Sequence, residues 1–212
     1  MKHLLLLAGA AFLLGGLSAA GQFRTVHPAH YGGKGLPSLG QMTKVSSDPA
    51  RDQSAGHLDI VADYFCWSDT KFYAAIQTRD GGFPASGKMG NNWYSYMSVI
   101  ANPADNSSVW AMIYIDVPLA RFKPGLYRVT GRKASDLVRI GDISYRIDKT
   151  NHLLTMSCDI SSLLKDSRFA AWYDPELPKF GLGSMTNKTT VVPYKTGTED
   201  STAPDVKLIL QK

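Results

Sequence analysis

The chain has 212 residues, 44% of them apolar and 19% charged, with a formal net charge of +5 at pH 7. These values exclude a disordered chain and are sufficient for one compact domain with its own core. Of the 18 acidic residues only Glu176 and Glu199 are glutamates, and the 19 Gly, 11 Pro and many aromatics favour turns and strands, which excludes helix bundles and coiled coils.

Residues 1–20 read as a signal peptide: Lys2 gives a basic start, Leu4 to Leu17 an apolar run, and Ser18-Ala19-Ala20 a small-residue exit. Cleavage after Ala20 is the expectation. The run is short for a membrane span, and the residue immediately after Ala20 is Gly21 rather than Cys. The expected product is therefore secreted or periplasmic, is not a lipoprotein, and keeps no transmembrane segment after cleavage. Residues 21–42, rich in Gly and Pro and without periodicity, read as a flexible N-terminal arm or tether laid over a domain formed by residues 43–212.

Within that domain, short β-branched and aromatic segments alternate with turn signals. Asp59 to Trp67 and Phe72 to Thr78 flank Ser68-Asp69-Thr70-Lys71, and Trp93 to Ala101 and Val109 to Asp116 flank a polar loop, so each pair predicts a hairpin. Gly125 to Thr130, Leu137 to Ile140, Ile143 to Ile147 and Leu153 to Cys158 continue the pattern, with a tight turn at Asp148 to Asn151. Ile160 to Leu164 predicts a short helical turn, and Val206 to Leu210 a last strand. About ten strands at intervals of roughly 8 to 15 residues, without regular helices between them, predict an all-β, antiparallel two-sheet β-sandwich.

Cys66 and Cys158 both follow the expected cleavage site, and an even count in an oxidising compartment predicts a disulfide between them. Two buried free thiols are the alternative.

Four features in this order resemble the DOMON-like superfamily, which includes the carbohydrate-binding modules of family 9. They are Asp48-Pro-Ala-Arg-Asp52, Leu58-Asp59-Ile60 opening a strand that ends at Trp67-Ser-Asp69, the Ile147 to Leu154 hairpin leading to Asp159-Ile-Ser-Ser-Leu163, and Ala203-Pro-Asp205. The resemblance spans Lys44 to Lys212. It implies a jelly roll, with sugar or haem as ligand, structural calcium in some family 9 modules, and no catalytic activity in the module itself.

Asp48, Asp52, Asp59 and Asp205, with Asp200, precede or open the outermost expected strands. If those strands are neighbours, the carboxylates form an irregular oxygen set of the kind Ca²⁺ accepts; the alternative is that they cap turns. For a sugar, an aromatic plane against the pyranose C–H face and amides for its hydroxyls are the natural partners. Trp93 with Asn91 and Asn92, after the Gly-rich loop from Gly81, is the first such candidate, and Trp172 with Tyr173 the second. Trp67 and Trp110, flanked by apolar strand residues, read as core. Seven basic residues between Arg121 and Arg146 face two acids. They read as the solvated faces of strands, with no nucleic-acid motif among them. Met97, Met112, Met156 and His152 are the residues a b-type haem would use, and core packing is the reading preferred for the methionines. No Gly-x-Ser-x-Gly, His-Glu-x-x-His or P-loop is present, and Glu176 is where a glycosidase reading would start.

These observations define an expected non-catalytic ligand-binding sandwich whose leading ligand is a carbohydrate or cell-envelope polymer. The alternative is a structural or partner-binding cell-envelope protein whose exposed aromatics and Gly21 to Met42 arm meet another protein, a reading that an exposed sheet edge would favour through strand addition.

Overall fold

Alternation decides the two long hairpins. In β4 (Ile60–Trp67) and β5 (Lys71–Thr78), which pair antiparallel, Phe65, Phe72, Ala74 and Ile76 face the core while Cys66, Tyr73 and Ala75 face the other side. In β6 (Asn92–Asn102) and β7 (Asp105–Tyr114) the connection is tighter than expected, reduced to Pro103-Ala104, and the Asn102 side chain accepts the Ala104 N–H at 2.9 Å. The computed structural model describes residues 23–48, 53–84, 92–115, 123–129, 137–190 and 195–202.

The described strands form two packed sheets. The first runs β1 (Arg24–Val26), β12 (Phe180–Thr190), β6, β7, β8 (Gly125–Val129), β9 (Leu137–Gly141), with β13 (Lys195–Ser201) also on β12. The second runs β10 (Ser144–Asp148), β11 (Leu153–Asp159), β5, β4, β2 (Ala29–His30), with β3 (Thr43–Ser47) also on β4. Every described pairing is antiparallel except β2 with β4. The protein is an all-β two-sheet sandwich, as the turn spacing predicts. Among the described residues α-helix is confined to α1 (Ile160–Leu164), where it was expected, and α2 (Ser167–Ala170), beside one 3-10 turn at Leu39–Gln41. No helix among the described residues is long and apolar enough to cross a membrane.

The main core lies between the sheets, around Trp110, Tyr96, Phe65, Phe72, Phe169 and Phe180. A second buried layer, Trp93, Met97, Val99, Ala111, Ile113, Tyr127 and Met185, lies on the outer face of the first sheet. The segment read as an arm supplies a third. It adds β1 to one sheet and β2 to the other, then lays Tyr31, Leu39 and Met42 over Cys66, Tyr73 and Ala75 on the outer face of the second sheet.

The expected disulfide is not present: Cys66 and Cys158 are both free and buried. Strand parity explains this. Cys66 pairs with Tyr73 and faces outward under the arm, whereas Cys158 pairs with Phe72 and faces the inter-sheet core. Strand β5 also lies between them, so their backbones are about two strand spacings, roughly 9 to 10 Å, apart, beyond the reach of an S–S link. Burial pushes both thiols up to about 12. Strands β3, β12 and β13 were not foreseen, and the expected strand Val206 to Leu210 lies outside the described residues.

Candidate functional site

At the end of the sandwich where β11 leads into the helices, the chain turns twice and returns along β12. Asp166 sets this geometry. It is 7% exposed, and one carboxylate oxygen accepts the Arg168 N–H at 3.0 Å, capping α2. The other takes the Trp110 indole N–H at 3.2 Å and the Arg128 guanidinium at 3.3 Å. Helix α2 is thereby fixed against β7 and β8. Its Phe169 is buried, in edge contact with Trp110 at 5.2 Å between centroids.

Beyond α2, Trp172 and Tyr173 are half-buried at the surface. Tyr173 lies nearly parallel to Phe169 (5.3 Å, 26°) and to Phe180 (6.1 Å, 23°). Trp172 meets Phe169 at 4.9 Å, Phe180 at 5.8 Å and Trp110 at 6.0 Å. The two rings are therefore backed by a rigid aromatic wall. The Trp172 indole N–H is buried and makes no hydrogen bond. Burial, and then the Asp69 and Asp174 carboxylates, raise the Tyr173 pKa. Asp69 is largely exposed and its carboxylate lies 2.9 Å from His30 Nε2; His30 in turn packs edge-on against Trp67 at 4.6 Å. Aromatic faces and carboxylate acceptors thus share one end of the molecule.

The first-choice sugar platform is placed differently. Trp93 is 6% exposed and packs in the layer on the outer face of the first sheet. Asn92 opens β6 beside it, and Asn91 lies outside the described residues. Trp67 is half-buried against the core, its indole N–H donating to the Pro28 carbonyl at 3.1 Å, and Trp110 is fully buried.

The described members of the expected acidic set are each engaged in contacts within the chain. Asp59 is fully buried and paired with Arg79 at 3.2 Å. Asp200, on β13, accepts the Ile60 N–H across the sandwich. Asp48 is half-buried and gives its N–H to the Val61 carbonyl at 3.1 Å. Asp52 and Asp205 lie outside the described residues, among which no three His, Cys, Asp or Glu side chains form a metal-binding group.

Sequence reasoning passed over Asp63. Its carboxylate is buried between the sheets and accepts Ser46 N–H at 2.9 Å, Ser46 Oγ at 2.7 Å and Thr202 Oγ1 at 2.6 Å. Burial raises its pKa, against the lowering effect of these donors and of Ser184. Parity was the available signal, because Asp63 shares its face of β4 with Phe65 and Trp67.

Met97, Met112 and Met156 are fully buried, Met97 Sδ accepting from the Asn187 amide at 3.2 Å, and His152 Nδ1 lies 2.6 Å from the Arg79 carbonyl. In the basic stretch, Arg128 pairs with Asp166 and Arg139 with Asp142. Glu176 is exposed, its N–H donating to Asp174 at 2.9 Å. A further groove of about 260 Å³ lies between Leu36 to Leu39 and the outer face of β10 and β11. It offers no aromatic ring, and its Asp148 is bonded to Asn151 at 2.8 Å.

No protein-family model matches the chain, and no curated protein matches it.

Proposed function

We propose that this protein is an exported, non-catalytic ligand-binding β-sandwich of DOMON-like character, and that it holds a carbohydrate at the end formed by Trp172 and Tyr173. The observation that carries this reading is the pair of half-exposed rings, fixed from behind by Phe169 and Phe180, with the exposed Asp69 and Asp174 at the same end of the molecule. A pyranose ring presents C–H groups to an aromatic face and hydroxyls to its sides, which is the complement of that surface. The rings are held in place before binding, so little side-chain entropy is lost on association. Trp93 takes no part in this proposal, because its burial leaves it no free face.

The test is a glycan array probed with the purified protein, with and without Ca²⁺, followed by titration of the best glycan with two variants. Tyr173→Ala is expected to weaken binding about tenfold or more by removing the stacking face. Trp93→Ala should leave affinity unchanged in the folded fraction while lowering stability by about 3 to 5 kcal/mol, the usual cost of emptying a buried aromatic site. An empty array, or full affinity in Tyr173→Ala, would overturn the assignment.

A further inference from the structure

Strand β10 is the outer strand of the second sheet: among the described residues it pairs with β11 and with nothing on its other side. Its five residues, Ser144-Tyr-Arg-Ile-Asp148, stay in unbroken register with β11 and contain no Pro and no bulge. An edge of this kind normally carries some device against pairing with another chain, since its outward N–H and C=O groups are a template for a further strand. Here Ser144, Tyr145 and Arg146 are exposed. The surroundings are also apolar. Of the five exposed large hydrophobic side chains among the described residues, Tyr145 is on β10, Val138 on β9, the preceding strand in the chain, and Leu164 on α1, which packs on β9, while Leu36 borders the groove beside β10.

We propose that β10 pairs antiparallel with β10 of a second copy, forming a two-fold dimer with one sheet continuous across the interface. The charge pattern selects both this partner and its register. Arg146 and Asp148 alternate on the outer face of the strand, and Arg146 forms no ion pair among the described residues. When Ile147 sits opposite Ile147 of the other copy, each Arg146 faces an Asp148, giving two cross-strand ion pairs of opposite charge. Sliding one residue pair in one direction sets Arg146 against Arg146; sliding in the other sets Asp148 against Asp148. Like charges directly opposite are destabilising, so the neighbouring registers with the same facing are both disfavoured. The arrangement is isologous, as a two-fold interface requires.

Analytical ultracentrifugation of the full protein, at concentrations from about 1 to 100 μM, spans the affinities typical of small reversible interfaces. It is expected to show a reversible monomer–dimer equilibrium. Arg146→Asp, which sets like charges opposite each other, should raise the dissociation constant at least tenfold with an unchanged melting temperature. Arg146→Lys should retain the dimer. Register is read by oxidative cross-linking: Ile147→Cys should give a covalent dimer, because directly opposed residues lie within disulfide reach. Tyr145→Cys should not, because its own copy is then four residues out of register. The buried Cys66 and Cys158 leave the parent chain as the uncross-linked control. A monomer throughout the concentration range, a dimer indifferent to Arg146→Asp, or equal cross-linking of the two cysteine variants would each overturn the proposal. So would an Arg146→Asp variant that is monomeric only because it is unfolded, unless folded Ile147→Cys cross-links selectively.

Discussion

Two of the buried carboxylates, Asp63 and Asp166, are solvated by the protein in different ways. Asp63 is surrounded by neutral donors, the hydroxyls of Ser46 and Thr202 and one backbone N–H, and links β4 to the chain following β13. Asp166 has a guanidinium, an indole N–H and a helix-cap N–H, and ends in a surface of half-exposed rings. Hydroxyl donors orient a buried charge without compensating its lost hydration, which is why the Asp63 pKa rises. At Asp166 a cation is present to offset the charge. The first arrangement ties the two sheets together through their interior, where no ligand has access. The second uses the same kind of node to position side chains that meet the solvent.

The largest effect is expected on breaking the second node. Asp166→Ala removes the cap of α2 and leaves the Arg128 and Trp110 donors buried without their acceptor, which should cost about 3 kcal/mol or more. Urea unfolding read by tryptophan fluorescence measures the loss. Because Trp172 and Tyr173 follow α2 directly, the variant should also lose glycan binding at temperatures where it is still folded. Full affinity in the folded variant would show that the rings are positioned by their own packing.

The other node gives a pH signature. The folded state holds the Asp63 proton to a higher pH than the unfolded chain does. The stability this gives is fully present below the unfolded-chain pKa and is lost progressively as pH rises from there through the folded value. Asp63→Asn cannot ionise. The stability of the parent minus that of Asp63→Asn should therefore fall as pH is raised above the ordinary carboxylate pKa of about 4. A difference that is flat or rises with pH would mean that the hydroxyl donors outweigh burial.

Much of this architecture was legible in the sequence because hairpins declare themselves by alternation: β4 with β5, β6 with β7 and β10 with β11 all fall where period-two patterns meet turn residues. Strand β12 was hidden for a physical reason. It reads Phe-Gly-Leu-Gly-Ser-Met-Thr-Asn-Lys-Thr-Thr, rich in residues that also build loops. Yet it is a central strand whose Ser184 and Thr186 are buried and bonded, Ser184 donating its N–H to Thr202 Oγ1 at 2.8 Å and Thr186 donating to the Leu58 carbonyl at 2.7 Å. Polar strands of this kind are stabilised by partners distant in sequence, which no local window contains. The site divides in the same way. Trp172 and Tyr173 were legible as aromatics beside a turn, whereas the burial of Trp93 depends on residues that a window around it does not include.

The smallest expected effect concerns the two thiols, and it sharpens the assignment of the inter-sheet link to Asp63 and Thr202. Cys66 and Cys158 belong to the same sheet, so even a bridge between them would not have joined the two layers. With both thiols pushed up to about 12 by burial, negligible thiolate is present near neutral pH, and the native protein should be inert to a thiol reagent on the timescale of minutes. Unfolded without reductant, it should release two reactive thiols per chain. Its melting temperature should be the same with and without dithiothreitol, because no covalent loop constrains the unfolded ensemble. Finding no thiol in the unfolded, unreduced protein would require Cys66 to leave the face covered by the arm, and would break the strand parity on which the whole second sheet is built.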